Sequence, residues 1–230
     1  MKTIGILGGM TWESTITYYQ VINEYISKHV GDFHTARCVM YSYDFQDIIE
    51  THWSGDWEKA GRILAEGGEK LKSIGADFLI LATNTMHIVA PQVKAATGLP
   101  LLHIAEVTAD RLLESGVKTV GLIGTIFTME MDFYKDVLKQ KGLEVLIPEK
   151  EARVEIQRVI NEELTFGNFN EKSRSYYRNE IEKLKKQGAQ GVILGCTEIG
   201  LLIKQADSPL PVFDTALIHA EETAKYAMAD

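Results

Sequence analysis

The chain has 230 residues, with 24 Lys and Arg against 32 Asp and Glu, a formal net charge of -8 and 45% hydrophobic residues, the composition of an ordinary globular protein with room for one large domain or two small ones. The acidic balance argues against nucleic acid as a partner, because phosphate binding needs a basic surface, but it leaves room for a small anion at a locally positive site. The only cysteines are Cys38 and Cys196, which argues against a disulfide framework and suits a reducing compartment, and no stretch approaches the roughly 20 apolar residues of a membrane span. The opening run Thr3–Leu7 is too short for a secretory core and leads into Gly8 and Gly9, so it reads as a first strand and not as a targeting segment. Ser14–His29 follows with Tyr18, Ile22, Tyr25 and Ile26 at helical spacing. Cys38–Tyr43 is a second strand, and His52 falls in the loop-rich stretch after it. Trp57–Ile74 is helical, with Ile63, Leu64 and Leu71 on one side. Phe78–Ala82, Leu101–Ile104, Thr119–Ile123 and Leu143–Ile147 are strand-length apolar runs. Glu151–Leu164 and Lys172–Gln187 are helical, and Val192–Leu194 closes the series as a strand. Such alternation predicts an α/β protein with parallel sheets covered on both faces.

The chain also repeats itself. Lys2–Met10 aligns with Lys118–Ile126, and Gly75–Thr85 aligns with Gly188–Glu198, at offsets of 116 and 113 residues. Two matched segments in the same order and at nearly the same spacing predict a duplicated α/β half. Ligands of open α/β sheets bind at the carboxyl ends of strands, so Thr83 and Cys196, at matching strand ends, are expected to flank one site. Gly5–Met10 lacks the spacing of a dinucleotide or phosphate loop, but its glycine pair lets backbone N–H groups approach a small anion such as a carboxylate. Cys196 follows Gly195 at a strand end and precedes Thr197 and Glu198. A helix start there is expected to lower the thiol from its usual value of about 8.5. Thr83, Asn84 and Thr85 suit a helix N-cap, a role compatible with presenting donors to a carboxylate. Cys38, away from any strand end, reads as core. His29, His34, His52, His87, His103 and His219 show no metal-ligand spacing, and no lysine stands in a Schiff-base context, so neither a metal nor pyridoxal phosphate is expected. His87 either supports the site or simply packs.

Taken together, Ile4–Met10, Thr83–Thr85, Gly124–Thr125, Gly195–Glu198 and Pro211–Ala216 resemble the aspartate/glutamate racemase family over nearly the whole chain. The resemblance implies two pseudo-symmetric, Rossmann-like, doubly wound domains with mainly parallel sheets, a site in the cleft between them, no cofactor, and commonly a cytoplasmic homodimer. The expected division is residues 1–104 with 214–230 as one domain and 105–213 as the other. The resemblance also implies a two-base mechanism, in which one cysteine removes the α-proton and another returns a proton to the opposite face. Here the first of those positions is Thr83, whose hydroxyl does not ionise usefully near neutral pH. Members with threonine there are associated with L-aspartate and L-glutamate. The expectation is therefore a cofactor-independent racemase of acidic amino acids, with Cys196 as base and Thr83 on the other face. Met10, Asn84, Thr85, Thr125 and Thr197 would contact substrate. His52 is preferred over Arg37 or Lys172 as the group holding the distal carboxylate. A hydantoin racemase, a maleate isomerase, a malonate decarboxylase and a catalytically weak amino-acid-binding protein stay open at this point.

Overall fold

A computed structural model describes residues 1–229. They form two compact units, one made of Met1–Ile104 and the segment from Ala216 onward, the other of Ala105–Thr215. In the first unit, β1 (Ile4–Gly8) leads into α1 (Trp12–Val30), then β2 (Cys38–Ser42), α2 (Phe45–Ser54), α3 (Trp57–Ser73), β3 (Phe78–Leu81) and α4 (Ala90–Thr97). The chain enters the second unit along α5 (Ile104–Glu114). There follow β4 (Thr119–Gly124), α6 (Ile126–Glu130), α7 (Asp132–Gln140), β5 (Glu144–Leu146), α8 (Lys150–Glu162), α9 (Glu171–Lys186), β6 (Gly191–Gly195), α10 (Ile199–Leu202) and β7 (Val212–Asp214). Helix α11 (Thr215–Met228) returns to the first unit.

Each unit is built on one parallel sheet, ordered β2-β1-β3 in the first and β5-β4-β6-β7 in the second. Side chains alternate across a strand, and the first sheet shows why its strands are apolar throughout. Leu7, Leu79 and Leu81 face a core with Leu64, Leu71 and Val93, while Ile4, Ile6, Phe78 and Ile80 face Tyr18, Ile22 and Ile26 of α1 and Ala216, Ala220 and Ala224 of α11. A sheet covered on both faces has no strand position left for a polar residue. In the second unit Ile123, Val192 and Leu194 pack on Ile156, Val159, Ile181 and Leu184 of α8 and α9, and Val120, Leu122 and Ile193 are buried on the opposite face. The expected α/β class with two parallel sheets is present.

The sequence repeat reappears as a repeat of register. Ile4 pairs with Phe78 and Leu7 with Leu81; at the offsets of 116 and 113, Val120 pairs with Gly191 and Ile123 with Leu194. Thr83 and Cys196 therefore stand at the same place, two residues beyond the end of β3 and one beyond that of β6.

Three local expectations need correcting. Leu101–Ile104 is not a strand: only Leu101 bridges to Leu79, and Ile104 already starts α5. The segment leaves Pro100 and turns away after two ladder bonds, from Leu79 N–H to the Pro100 carbonyl and from Leu102 N–H to the Leu79 carbonyl. His52 is not in a loop but in α2, which Asp44 caps by accepting from Gln46 N–H and Gly55 ends in the left-handed conformation. Cys38 is not away from a strand end; it opens β2 and is only half-buried.

Candidate active site

Parallel strands put all their carboxyl ends on one edge of a sheet, and the residues singled out above fall there in each unit. In the first unit the chain leaves β1 through Gly8 and Gly9. Gly9 has a φ of 81°, and a Cβ there would strike the backbone of Tyr43. Its N–H is not presented to a ligand: it donates to Thr15 Oγ1 at 2.8 Å, and that hydroxyl donates to the Thr11 carbonyl at 3.0 Å. The loop is thus tied down by the first turn of α1, with Met10 buried beside it.

Beyond β3, Thr83, Asn84 and Thr85 are all buried. They lead into a short 3-10 turn, Thr85–Val89, and the Asn84 side chain makes no capping bond to it. The expected N-cap is therefore absent; Asn84 is itself in the right-handed helical region, where its side chain does not reach back over the following N–H groups. What fixes the segment is His87. Its Nδ1–H donates to the Thr83 carbonyl at 2.9 Å, and its Nε2 accepts from Ile104 N–H at 3.2 Å. Both ring nitrogens are engaged in the neutral form, and burial holds the ring well below its ordinary pKa, with His103 and His219 pushing the same way. His103 lies edge-on at 4.6 Å between ring centroids. His219 of α11 accepts from Tyr18 Oη at 2.8 Å and donates through Nε2 to the Leu102 carbonyl at 3.0 Å. Burial takes His103 to about 4 and His219 to about 3. His87 thus both packs and supports Thr83.

His52 is buried, with Nε2 at 2.8 Å from Met86 Sδ and its ring tilted against Trp57 at 5.6 Å. Burial lowers its pKa to about 4, so near neutral pH it offers a hydrogen bond and no charge. Arg37 is exposed and precedes β2, at the amino end of the strands, about 16 Å along a five-residue strand from the edge that carries Thr83. Lys172 is exposed in the first turn of α9.

In the second unit Gly124 and Gly195 end β4 and β6 side by side. A Cβ on Gly124 would lie 2.7 Å from the Gly195 carbonyl oxygen, so the two backbones can pass this closely only without side chains. Thr125 caps α6, accepting from Thr128 N–H at 3.2 Å, and Gln157 Oε1 takes up Ile126 N–H at 2.7 Å. Thr125 is thus held by the fold's own bonds at the mouth of the β4 edge.

Cys196 follows at 6% exposure, in the core cluster of α8 and α9. Its thiol donates to Glu198 Oε2 at 2.9 Å, and the Thr197 hydroxyl donates to the same oxygen at 2.9 Å. The thiol pKa is raised well above its ordinary value, first by burial and then by the Glu198 charge and the hydrogen bond to it; N–H groups of Glu198 and Ile199 pull the other way and lose. This corrects the expectation of a lowered thiol. The helix after Cys196 is a single turn, Ile199–Leu202, too short to offset a buried carboxylate. Glu198 is bonded to the Cys196 thiol; its signal in the sequence is an acid two positions from the cysteine, where the first half has Thr85. Among the described residues, no three His, Cys, Asp or Glu side chains come together as metal ligands.

Comparison with known proteins gives this arrangement its context. The family model described as Asp/Glu/hydantoin racemase matches residues 7–223. The chain is 26% identical to the broad specificity amino-acid racemase RacX of Bacillus subtilis (strain 168), over 98% of each chain. Among solved structures, a Yersinia pestis protein provisionally assigned as an Asp/Glu racemase is 46% identical over the full length of both chains, with a TM-score of 0.93. An aspartate racemase homologue from Pyrococcus horikoshii OT3 is 37% identical over the full length of both, with a TM-score of 0.86. The resemblance read from the glycine, threonine and cysteine motifs holds: this chain belongs to the Asp/Glu/hydantoin racemase family, a family of amino-acid isomerases.

Proposed function

We propose that the protein is a cofactor-independent racemase of acidic amino acids, L-aspartate and L-glutamate, in which Cys196 removes the α-proton and Thr83 serves the opposite face of the substrate. The observation that carries this reading is the pair at matched strand ends: a buried thiol with a carboxylate partner beyond β6, and a buried hydroxyl in the same register beyond β3. The α-carboxylate rests on donors from Met10, Asn84, Thr85, Thr125 and Thr197, which stabilise negative charge as it spreads from Cα into that carboxylate. His52, neutral, supplies a hydrogen bond to the distal carboxylate. The proton passes to sulfur, the C–H electron pair stays on the substrate, and no electron acceptor is required.

The test is α-hydrogen exchange in D2O over a panel of amino acids, in wild type and Cys196→Ser. Fast exchange of L-aspartate or L-glutamate that disappears in Cys196→Ser supports the reading. Exchange surviving in Cys196→Ser overturns it. Faster turnover of neutral or basic amino acids would favour the breadth for which the Bacillus relative is named. Activity is expected to withstand exhaustive chelation. We further place the protein in the cytoplasm, where its two free thiols stay reduced, as a homodimer. Trp12, Ile16 and Tyr19 form an exposed apolar stripe along α1 that suits self-association. Light scattering that returns one chain's mass at micromolar concentration would remove the dimer. Among the described residues no helix is long and apolar enough to cross a membrane.

A further inference from the structure

The two matched strand ends hold their first carbonyl in different ways. Beyond β6, Ile199 N–H donates to the Cys196 carbonyl at 3.1 Å, three residues back. Beyond β3, the 3-10 turn sends His87 N–H to the Asn84 carbonyl at 3.1 Å, also three residues back, and so not to Thr83. The imidazole of His87 makes up the difference, with Nδ1 at 2.9 Å from the Thr83 carbonyl oxygen. At the offset of 113 the residue matching His87 is Gly200, where a side chain would run into the Asp214 carboxylate. An imidazole has no room there, so the arrangement belongs to the first half.

The backbone also selects the tautomer. An amide N–H can only donate, so Ile104 N–H at 3.2 Å requires His87 Nε2 to be an acceptor. In the neutral ring the proton then sits on Nδ1, directed at Thr83. His219 is fixed the opposite way, because the Leu102 carbonyl can only accept and lies 3.0 Å from its Nε2. Two residues of one short segment thus set opposite tautomers in two buried rings whose centroids are 5.7 Å apart. On the near side of Thr83 the chain is fixed by Ala82 N–H, which donates to the Leu7 carbonyl at 2.9 Å. On the far side it is fixed by His87. With both flanking peptides held, the Cα–Cβ bond that carries the Thr83 hydroxyl has one direction. We propose that His87 is the positioning residue of Thr83, so that inversion of the substrate depends on His87 more steeply than proton removal by Cys196 does. The role rests on the reading of Thr83 as the group serving the opposite face of the substrate.

A histidine that only filled space would change both readouts together. The measurement is therefore a ratio, racemisation by chiral chromatography over α-hydrogen exchange in D2O, on whichever L-amino acid wild type exchanges fastest. His87→Phe fills the site without either nitrogen and is expected to lower the ratio by about 10²-fold. The amide of Asn stands where Nδ1 stands and that of Gln where Nε2 stands, so His87→Asn should recover most of the loss and His87→Gln little. A ratio unchanged in folded His87→Phe overturns the proposal, and so does rescue by Gln equal to rescue by Asn. Circular dichroism and melting identify folded variants. A second readout needs no variant: 15N NMR of the wild type at pH 7 should show His87 neutral with its proton on Nδ1 and His219 neutral with its proton on Nε2. A His87 proton on Nε2 overturns the proposal whatever the variants do. Thr83→Ala separates the two levels of the account. If it leaves racemisation unchanged, the reading of Thr83 fails; if it lowers racemisation while His87→Phe keeps the wild-type ratio, only the role of His87 fails.

Discussion

The ends of β3 and β6 are the same place built twice, with different chemistry. The backbone register matches pair by pair, and each strand hands over to a short turn. Beyond β6 stand a thiol and a carboxylate in contact. Beyond β3 stand two threonines, and the segment is fixed through its backbone by a neutral histidine. The repeat supplies two equivalent positions, and their side chains differ: a thiol bonded to a carboxylate at one, and a hydroxyl at the other. The histidines show the same divergence. All six lie within residues 1–104 and 216–230, and none lies between 105 and 215.

Substitutions at the two strand ends sharpen this comparison. Cys196→Ser is expected to have the largest effect, lowering exchange and turnover by about 10³-fold or more with the fold intact, since the proposed reaction places the thiol at the α-proton. Cys38→Ser, at the start of β2, should change the rate less than about twofold; equal losses from both would dissolve the distinction. Next comes Thr83→Cys, which gives the first half the thiol it lacks. It should raise racemisation by about tenfold or more. The gain must be the same in both directions, because enantiomers have equal free energy in water and the equilibrium constant is one. Chiral chromatography from each enantiomer measures it, and an unchanged rate would show that Thr83 does not limit inversion.

A stability test follows from the histidines. Unfolded imidazole titrates near 6.5, while burial takes His52 and His103 to about 4 and His219 to about 3 in the folded chain. Between these values the unfolded chain binds more protons, so this stability is complete above pH 6.5 and is lost as pH falls toward 4 and below. Asp207 in the second unit, kept below the usual carboxylate range by its bond from Arg178, yields only at lower pH. Hydrogen exchange, corrected for intrinsic rates, should therefore show protection falling first in the first unit between pH 6.5 and 4.5. Uniform loss across both units would contradict the assignment. A local stability test is Gly124→Ala, which sets a methyl against the Gly195 backbone and should cost about 1–3 kcal/mol of stability by chemical denaturation. No change would mean the two strand ends have slack.

Much of this comparison was legible in the sequence. The runs at β1, β3, β4 and β6 are apolar and stop at glycine or small polar residues, so both the repeat and the strand ends were readable. Helix α2 is hard to read in the sequence although Asp44 and Gly55 bracket it, because Ile48, Ile49 and His52 make too short an apolar stripe to outweigh the polar residues between them. The segment at Leu101 misled because four apolar residues suit a strand until a helix begins inside them. Within the site, the position of Cys196 was readable and its protonation was not. That depends on where the Glu198 carboxylate points, which only the folded turn fixes. The grouping of His87, His103 and His219 is likewise a product of α11 returning across the first sheet, and no local pattern announces it.

The central claim is that one strand end carries the base and the other does not. Its most direct test is deuterium incorporation at Cα by NMR, run in parallel on L- and D-aspartate and on L- and D-glutamate with the wild-type protein, with chiral chromatography of the same samples. The account predicts that an L-enantiomer exchanges its α-hydrogen much faster than it racemises, and that its D-enantiomer exchanges slowly. Equally fast exchange of both enantiomers would contradict it, and would mean that a second base as effective as Cys196 acts from the side assigned to Thr83.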